Sequence, residues 1–174
     1  MVDGEFVRTG TKCGLRRVRD KDAEPFYRWY CDGRVQVHLA NPWWNPKIDF
    51  DAYRLFRFSL YLVPSEFSGV LTICTLEGEP IGLVNYFDID DENHACEVGI
   101  IIGEVDLWRH GYALESLRLL LEFLAGEHEI RVVQARILKE NVASQELFTK
   151  AGFVMTGTSS EQDFEFFDYR YSVI

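Results

Sequence analysis

The sequence predicts a single mixed α+β domain, and three observations carry that prediction. At 174 residues the chain is close to the ~150 residues of an ordinary domain. No Ser/Gly/Pro linker or internal repeat divides it, so residues 1–174 are read as one unit. Three consecutive runs rich in β-formers occupy its middle, separated by short polar turns, as in an antiparallel meander. Helical periodicity flanks the meander on both sides but does not alternate strictly with strands, which sets the chain apart from a doubly wound parallel sheet.

Taken in order, TKCGLRRVR (11–19) reads as a strand. Asp20 then serves as N-cap for a helix over about 21–32, with Asp22 and Glu24 in its acidic first turn. The prolines of NPWWNP (41–46) exclude helix interior and leave a loop carrying Trp43 and Trp44. Asp49 or Asp51 caps a second helix through DAYRLFRFSLYL. The meander follows as FSGVLTICTL (67–76), the turn EGEP, IGLVNYFDI (81–89), the turn DDENH, and ACEVGIII (95–102). Beyond GEVDLWRHGYA, Leu114, Leu117, Leu121 and Leu124 recur at helical spacing, with Glu115, Arg118 and Glu122 on the other side. IRVVQARIL (130–138) is a strand. Asn141 caps a helix that stops at Gly152, a natural left-handed C-terminus. Phe153 opens another strand. The last run sets Phe167, Tyr169, Tyr171 and Val173 against Asp168, Arg170 and Ser172. The predicted order is β-αα-βββ-α-β-α-ββ.

Composition narrows the function. Hydrophobic residues make up 47% and charged residues 26%, which fits a folded globular chain. A net charge of −10 repels phosphate backbones, so nucleic acid is not an expected partner, whereas a cationic substrate is compatible. Cys13, Cys31, Cys74 and Cys96 form no C-x-x-C pair and the histidines lack H-x-x-x-H spacing, so no metal site is expected. The N-terminus lacks an apolar signal region, and charge interrupts every long apolar stretch, as Glu122 does in LRLLLEFLA. The expected setting is the cytoplasm, without a membrane partner.

Two segments carry chemistry. In CEVGIII–GEVDLWRHGYALESL a strand passes through a glycine-containing loop straight into a helix N-terminus. Free N–H groups and the positive end of the helix dipole make such a place an anion site. Gly111 permits close backbone approach, and Arg109 and His110 add positive charge. The segment is neither a Walker A motif nor G-x-G-x-x-G. A plain helix start that needs one glycine has the same pattern. In KENVASQELFTKAGF, Asn141 and Ser144 have helix-capping spacing, which alone needs no functional explanation.

Together these segments resemble the GCN5-related N-acetyltransferase (GNAT) family, in its RimJ/RimL-like branch. Trp-Arg-His-Gly-Tyr-Ala (108–113) matches the family loop Q/R-x-x-G-x-G/A at Gly111 and Ala113, with Trp108 where the general motif has Gln or Arg. Ala95 to Gly99 resembles the family's A-E-I-G, with Cys96 inserted before Glu97. N-x-x-S (Asn141, Ser144), K-x-G-F (Lys150, Gly152, Phe153) and the opening LRRVRDKDAEPFYRW also match, so the resemblance covers nearly the whole chain. It implies a GNAT-type, mostly antiparallel twisted sheet flanked by helices, splayed between the fourth and fifth predicted strands, 95–102 and 130–138. It implies acetyl-CoA as acetyl donor and a primary amine as acceptor, either a protein N-terminus or a small cationic amine, handled by a monomer or homodimer.

By the same resemblance, Trp108, Arg109, His110, Gly111, Tyr112 and Ala113 would hold the pyrophosphate. Ile100, Ile101 and Ile102 would pair with the pantetheine arm, and Asn141 would turn its amide toward it. Glu97 would be the base and Ser144 the acid that meets the leaving thiolate, because Phe148 stands where many relatives place a tyrosine. Trp43, Trp44, Tyr86 and Asp88 would contact the acceptor. Each assignment has a simpler counterpart: an ion pair for Glu97, caps for Asn141 and Ser144, loop packing for the tryptophans. Phe148 also keeps open a second class, a non-catalytic acyl-CoA sensor.

Overall fold

Strands β1 (Arg8–Thr9), β2 (Cys13–Arg17), β3 (Gly69–Thr75), β4 (Pro80–Asp90), β5 (Ala95–Ile102), β6 (Val132–Leu138), β7 (Val154–Glu161) and β8 (Phe164–Ser172) form one sheet in the order β1-β2-β3-β4-β5-β6-β8-β7. The structure is a computed structural model that describes residues 6–41, 45, 47–63 and 65–173. Helices α1 (Ala23–Cys31), α2 (Gly33–Gln36), α3 (Phe50–Tyr53) and α4 (Ser59–Leu62) precede the meander, and α5 (Tyr112–Glu127) and α6 (Val142–Lys150) follow it. The expected mixed α+β architecture is borne out, with β5–β6 as the parallel pair and every other pair antiparallel.

The local differences have local causes. The strand expected over 11–19 is the second arm of a hairpin, because residues 10–12 turn and Gly10 N–H donates to Cys13 O at 2.8 Å. Asp20 does not cap α1. It faces Arg54 at 2.7 Å, residues Asp20–Asp22 form a 3-10 turn, and α1 starts at Ala23. Asp22, fully buried, accepts from Arg19 N–H at 2.9 Å, from Thr72 Oγ1 at 2.9 Å, and from both terminal nitrogens of buried Arg16 at 2.6 and 2.7 Å. Between the two expected caps for the second helix, Asp49 is the one used, taking Ala52 N–H at 2.9 Å. That helix carries a π-helical turn, Arg54–Phe58, between α3 and α4.

Period-2 alternation divides the core into two layers. Leu15, Leu71, Ile73, Val84, Tyr86, Cys96 and Val98 face α5, where they meet Leu117, Leu120 and Leu124. On the other face Leu83 packs with Phe26, Trp29, Tyr53 and Phe58 from α1 and the α3–α4 segment. The splay lies where it was expected. The pairing of β5 with β6 covers only Ala95–Glu97 against Val132–Gln134. Past that point β6 continues along β8 to Leu138, and β5 continues along β4 to Ile102.

Candidate active site

Among the described residues, the splay leaves one edge of β5 without a neighbouring strand from Val98 onward. Gly103 N–H bonds Ile81 O toward β4 at 2.9 Å, and main-chain groups alternate along a strand. Those of Gly99 and Ile101 therefore face β4, and those of Val98, Ile100 and Ile102 face the gap. Ile101 is thus a correction to the expected cofactor contacts: its main chain is turned to β4, and its side chain packs on the α1 layer. The Ile102 carbonyl is already taken, because Trp108 Nε1 donates to it at 2.8 Å. Trp108 pins the loop to the strand end through its ring.

That pin aims the next residues at the gap. Arg109 has φ 63° and Gly111 φ 89°, and changes of backbone hand within a few residues turn successive N–H groups toward one anion. The first intrahelical bond of α5 is Glu115 N–H to Gly111 O at 3.2 Å, so the amides of Tyr112, Ala113 and Leu114 have no helical acceptor. Lys12 adds charge beside them, its Nζ donating to His110 O at 3.1 Å. Tyr112 is partly buried against the core. Glu115, in the first turn, is engaged by the turn between β1 and β2. It accepts from Thr11 N–H at 2.9 Å, Lys12 N–H at 2.7 Å and Cys13 N–H at 2.9 Å. Burial pushes its carboxyl up, but these bonds outweigh burial and hold it at about 2. The loop and strand edge fit a pyrophosphate followed by an amide-bearing arm.

The N-terminus of α6 closes the gap from the opposite side. Asn141 Oδ1 accepts from Ser144 N–H at 3.1 Å, and Asn141 Nδ2 donates to His38 O at 3.2 Å. The cap is therefore real, and the amide expected to reach the cofactor arm is engaged by His38. The His38 ring also meets Trp108 edge-on at 5.8 Å between centroids, so one residue after α2 ties both helix starts together. Ser144 sits half-buried in the first turn of α6. Phe148 is 2% exposed and packs on Phe153 at 4.9 Å. It belongs to the core and offers no proton donor.

On the opposite face of the sheet, Glu97 lies between two clefts. One, of about 340 Å³, is walled by Asn41, Phe87, Glu97, Arg136, Glu161, Phe164 and Phe166. The other, of about 420 Å³, includes Asp88, Asp90, Glu97, Gln134 and Arg170. Arg136 joins two carboxylates, with Nε 3.1 Å from Glu97 and NH1 2.6 Å from Glu161, and lies over the Phe166 ring at 5.4 Å. Burial pushes the Glu97 carboxyl up and Arg136 draws it part of the way back, leaving it above the usual range. Burial also raises the Cys96 thiol to about 12, which removes that neighbour as a nucleophile.

Asp88, expected at the acceptor, lines the second cleft. Tyr86 does not: it is 6% exposed on the α5 face, against Phe123 and His128. A strand changes face with every residue, and the next residue, Phe87, lines the smaller cleft. Trp43 and Trp44 lie outside the described residues. The sequence reading passed over Arg136, Glu161, Phe166 and His38. Arg136 was findable, since Val133, Ala135 and Ile137 alternate as core and put Gln134 and Arg136 on the open face. Glu161 and Phe166 reach the cleft through the β7–β8 hairpin, whose two strands the sequence predicts but whose approach to β5 it does not.

This assembly is a helix start with free amides beside a parted strand pair, with a half-buried carboxylate across the sheet. A model of the GNAT acetyltransferase domain matches residues 12–154. The chain belongs to the GNAT family of acetyltransferases. Among solved structures, RimL, a ribosomal L7/L12 alpha-N-protein acetyltransferase in complex with coenzyme A, superposes with TM-score 0.80 over 97% of this chain and 98% of its own at 16% identity. Spermidine N-acetyltransferase from Vibrio cholerae, in complex with CoA and spermine, superposes with TM-score 0.76 over 94% of this chain and 96% of its own, also at 16% identity. At such identity the likeness is one of fold. An uncharacterized protein of Methanocaldococcus jannaschii is 34% identical over 83 residues, 48% of this chain, and the match spans only 16% of that relative.

Proposed function

We propose that the chain transfers the acetyl group of acetyl-CoA to the α-amine of a protein or peptide N-terminus. The observation that carries this choice of amine is the state of Arg136. The smaller cleft contains two carboxylates, Glu97 and Glu161, and one guanidinium bound to both at 3.1 and 2.6 Å. One negative charge is left over, enough for a single ammonium. A polyamine needs unpaired acids along its length. Phe87, Phe164 and Phe166 supply apolar wall for the residue that carries the amine.

In this reading Glu97 takes the proton of the acceptor ammonium, directly or through one water. A carboxyl lifted by burial is a better base near neutral pH than an exposed one. The main-chain N–H groups of Val98 and Ile100, facing the gap, donate to the thioester oxygen as it gains charge. The Ser144 hydroxyl protonates the departing thiolate, a task that Phe148 cannot perform. RimL acts on a protein N-terminus and the Vibrio cholerae enzyme on spermidine, so the family fold leaves the choice to the acceptor cleft. The reaction belongs in the cytoplasm, where the free thiols Cys13, Cys74 and Cys96 stay reduced.

The test is a competition in which peptides beginning with Ala or Ser and spermidine share one pool of acetyl-CoA, read by mass spectrometry. The peptides are expected to be acetylated first. Preferential acetylation of spermidine overturns the choice of acceptor. Saturable acetyl-CoA binding without release of free CoA thiol in the presence of any amine points instead to the sensor reading that buried Phe148 favours.

A further inference from the structure

We infer that the α3–α4 segment is the interface of a two-fold symmetric dimer of this chain. The segment is apolar on two sides. Tyr53 and Phe58, at 2% and 0% exposure, are its inner side and pack on α1. The π-helical turn Arg54–Phe58 widens the helix and separates a second apolar row from the first. That outer row is Leu55, Phe56, Leu60, Leu62 and Val63, between 42% and 69% exposed, and Phe67 extends it past the helix end at 64%. A helix that is apolar all round is normally covered on all sides, and contiguous exposed patches beyond a few hundred Å² mark interaction surfaces.

Area and charge select a second copy as the partner. Six such side chains present on the order of 600 Å². Two copies face to face then bury about 1,200 Å² before any polar rim is added, which reaches the range of stable specific interfaces. The chain as a whole carries −10, but residues 50–67 contain Asp51 and Glu66 against Arg54 and Arg57. Asp20 pairs with Arg54, so the patch carries one net negative charge, small beside the −10 of the chain, and two acidic molecules meet here with little mutual repulsion. With only two cations it has little attraction for an anionic membrane. A symmetric interface also uses each residue twice, so one substitution acts at two places.

The test is sedimentation equilibrium of the full chain across a range of concentrations, with Leu60→Glu and Phe56→Glu measured separately. These side chains are 68% and 69% exposed, so a charge there does not enter the core, and either variant carries the test if the other fails to fold. The parent is expected to be a dimer. Each variant is expected to weaken the dimer by at least about thirtyfold, as loss of a central contact does, with its circular dichroism and monomer melting unchanged. Val154→Glu, on the exposed β7 edge at 67%, is expected to leave the dimer intact. A parent that stays monomeric throughout, a dimer broken by Val154→Glu and not by the helix variants, or a monomer that binds phosphatidylglycerol vesicles through this helix overturns the inference.

Discussion

Replacing Gly111 with alanine separates what this glycine does for the fold from what it does for acetyl-CoA, provided that Gly78→Ala is measured beside it. Both glycines hold left-handed backbone, at φ 89° and 94°. Among the described residues, a β-carbon at Gly78 meets nothing within 4 Å, and the nearest atom to one at Gly111 is on Lys12, at an ordinary 3.6 Å. Neither change creates a clash, so each costs only backbone strain, about 1–2 kcal/mol for an L-residue in that region. For a chain of this length that lowers Tm by roughly 2–8 °C. The two then diverge. Relief of strain at Gly78 reshapes a remote hairpin turn. Relief at Gly111 rotates the amides that face the pyrophosphate. Losing one charge-assisted hydrogen bond, worth about 1.5–3 kcal/mol, weakens CoA binding by about 10- to 150-fold. Calorimetric titration with CoA and thermal melting of both variants read the two effects. If Gly111→Ala binds CoA as Gly78→Ala does, the loop is not the phosphate site.

Three further outcomes follow from the same contacts. Glu97→Gln is expected to lower turnover by roughly 10²–10⁴-fold and to abolish the acidic limb of the pH–rate profile. Arg136→Met removes the cation that holds Glu97 down, so that limb moves to higher pH, whereas Ser144→Ala lowers turnover without moving it; a limb indifferent to both Glu97 and Arg136 removes Glu97 from the chemistry. Asp22→Asn leaves buried Arg16 without its counter-charge and is expected to cost about 3–5 kcal/mol, a Tm loss of roughly 6–20 °C, and a melt within a degree of the parent contradicts the pairing. Glu115 is held at about 2, below its unfolded value. Its contribution is therefore complete above the ordinary 4.5 and disappears as pH falls toward 2. Glu115→Gln is expected to be the less stable protein at neutral pH and to show a flatter acid limb in denaturant titrations, and equal slopes contradict this.

What the sequence made legible was what local chemistry decides. The meander is set by runs of β-formers between polar turns, and Gly111 and Gly152 mark helix ends because each takes a left-handed φ. Asn141 was legible as a cap and is one. The acceptor side was less legible because it is assembled from distant parts of the chain. Tyr86 and Phe87 are adjacent aromatics on one strand, and only packing against Phe123 decides which turns inward. Arg136 reaches Glu97 across 39 positions and Glu161 across 25. Nothing in the local pattern of IRVVQARIL signals either contact. Asp20 looked like the cap of α1, but buried Arg16 claims Asp22 and moves the helix start to Ala23.

The claim that everything else rests on is that acetyl-CoA lies where β5 and β6 part, with its pyrophosphate at the start of α5. An amide-resolved NMR titration of the labelled chain with CoA tests this most directly. The account predicts that the largest shifts fall on Arg109, His110, Gly111, Tyr112 and Ala113 and on Val98, Ile100 and Ile102, and that Gly99 and Ile101, bonded toward β4, move less. Saturable binding that leaves the 109–113 amides unmoved, or shifts centred on another face of the sheet, would contradict it.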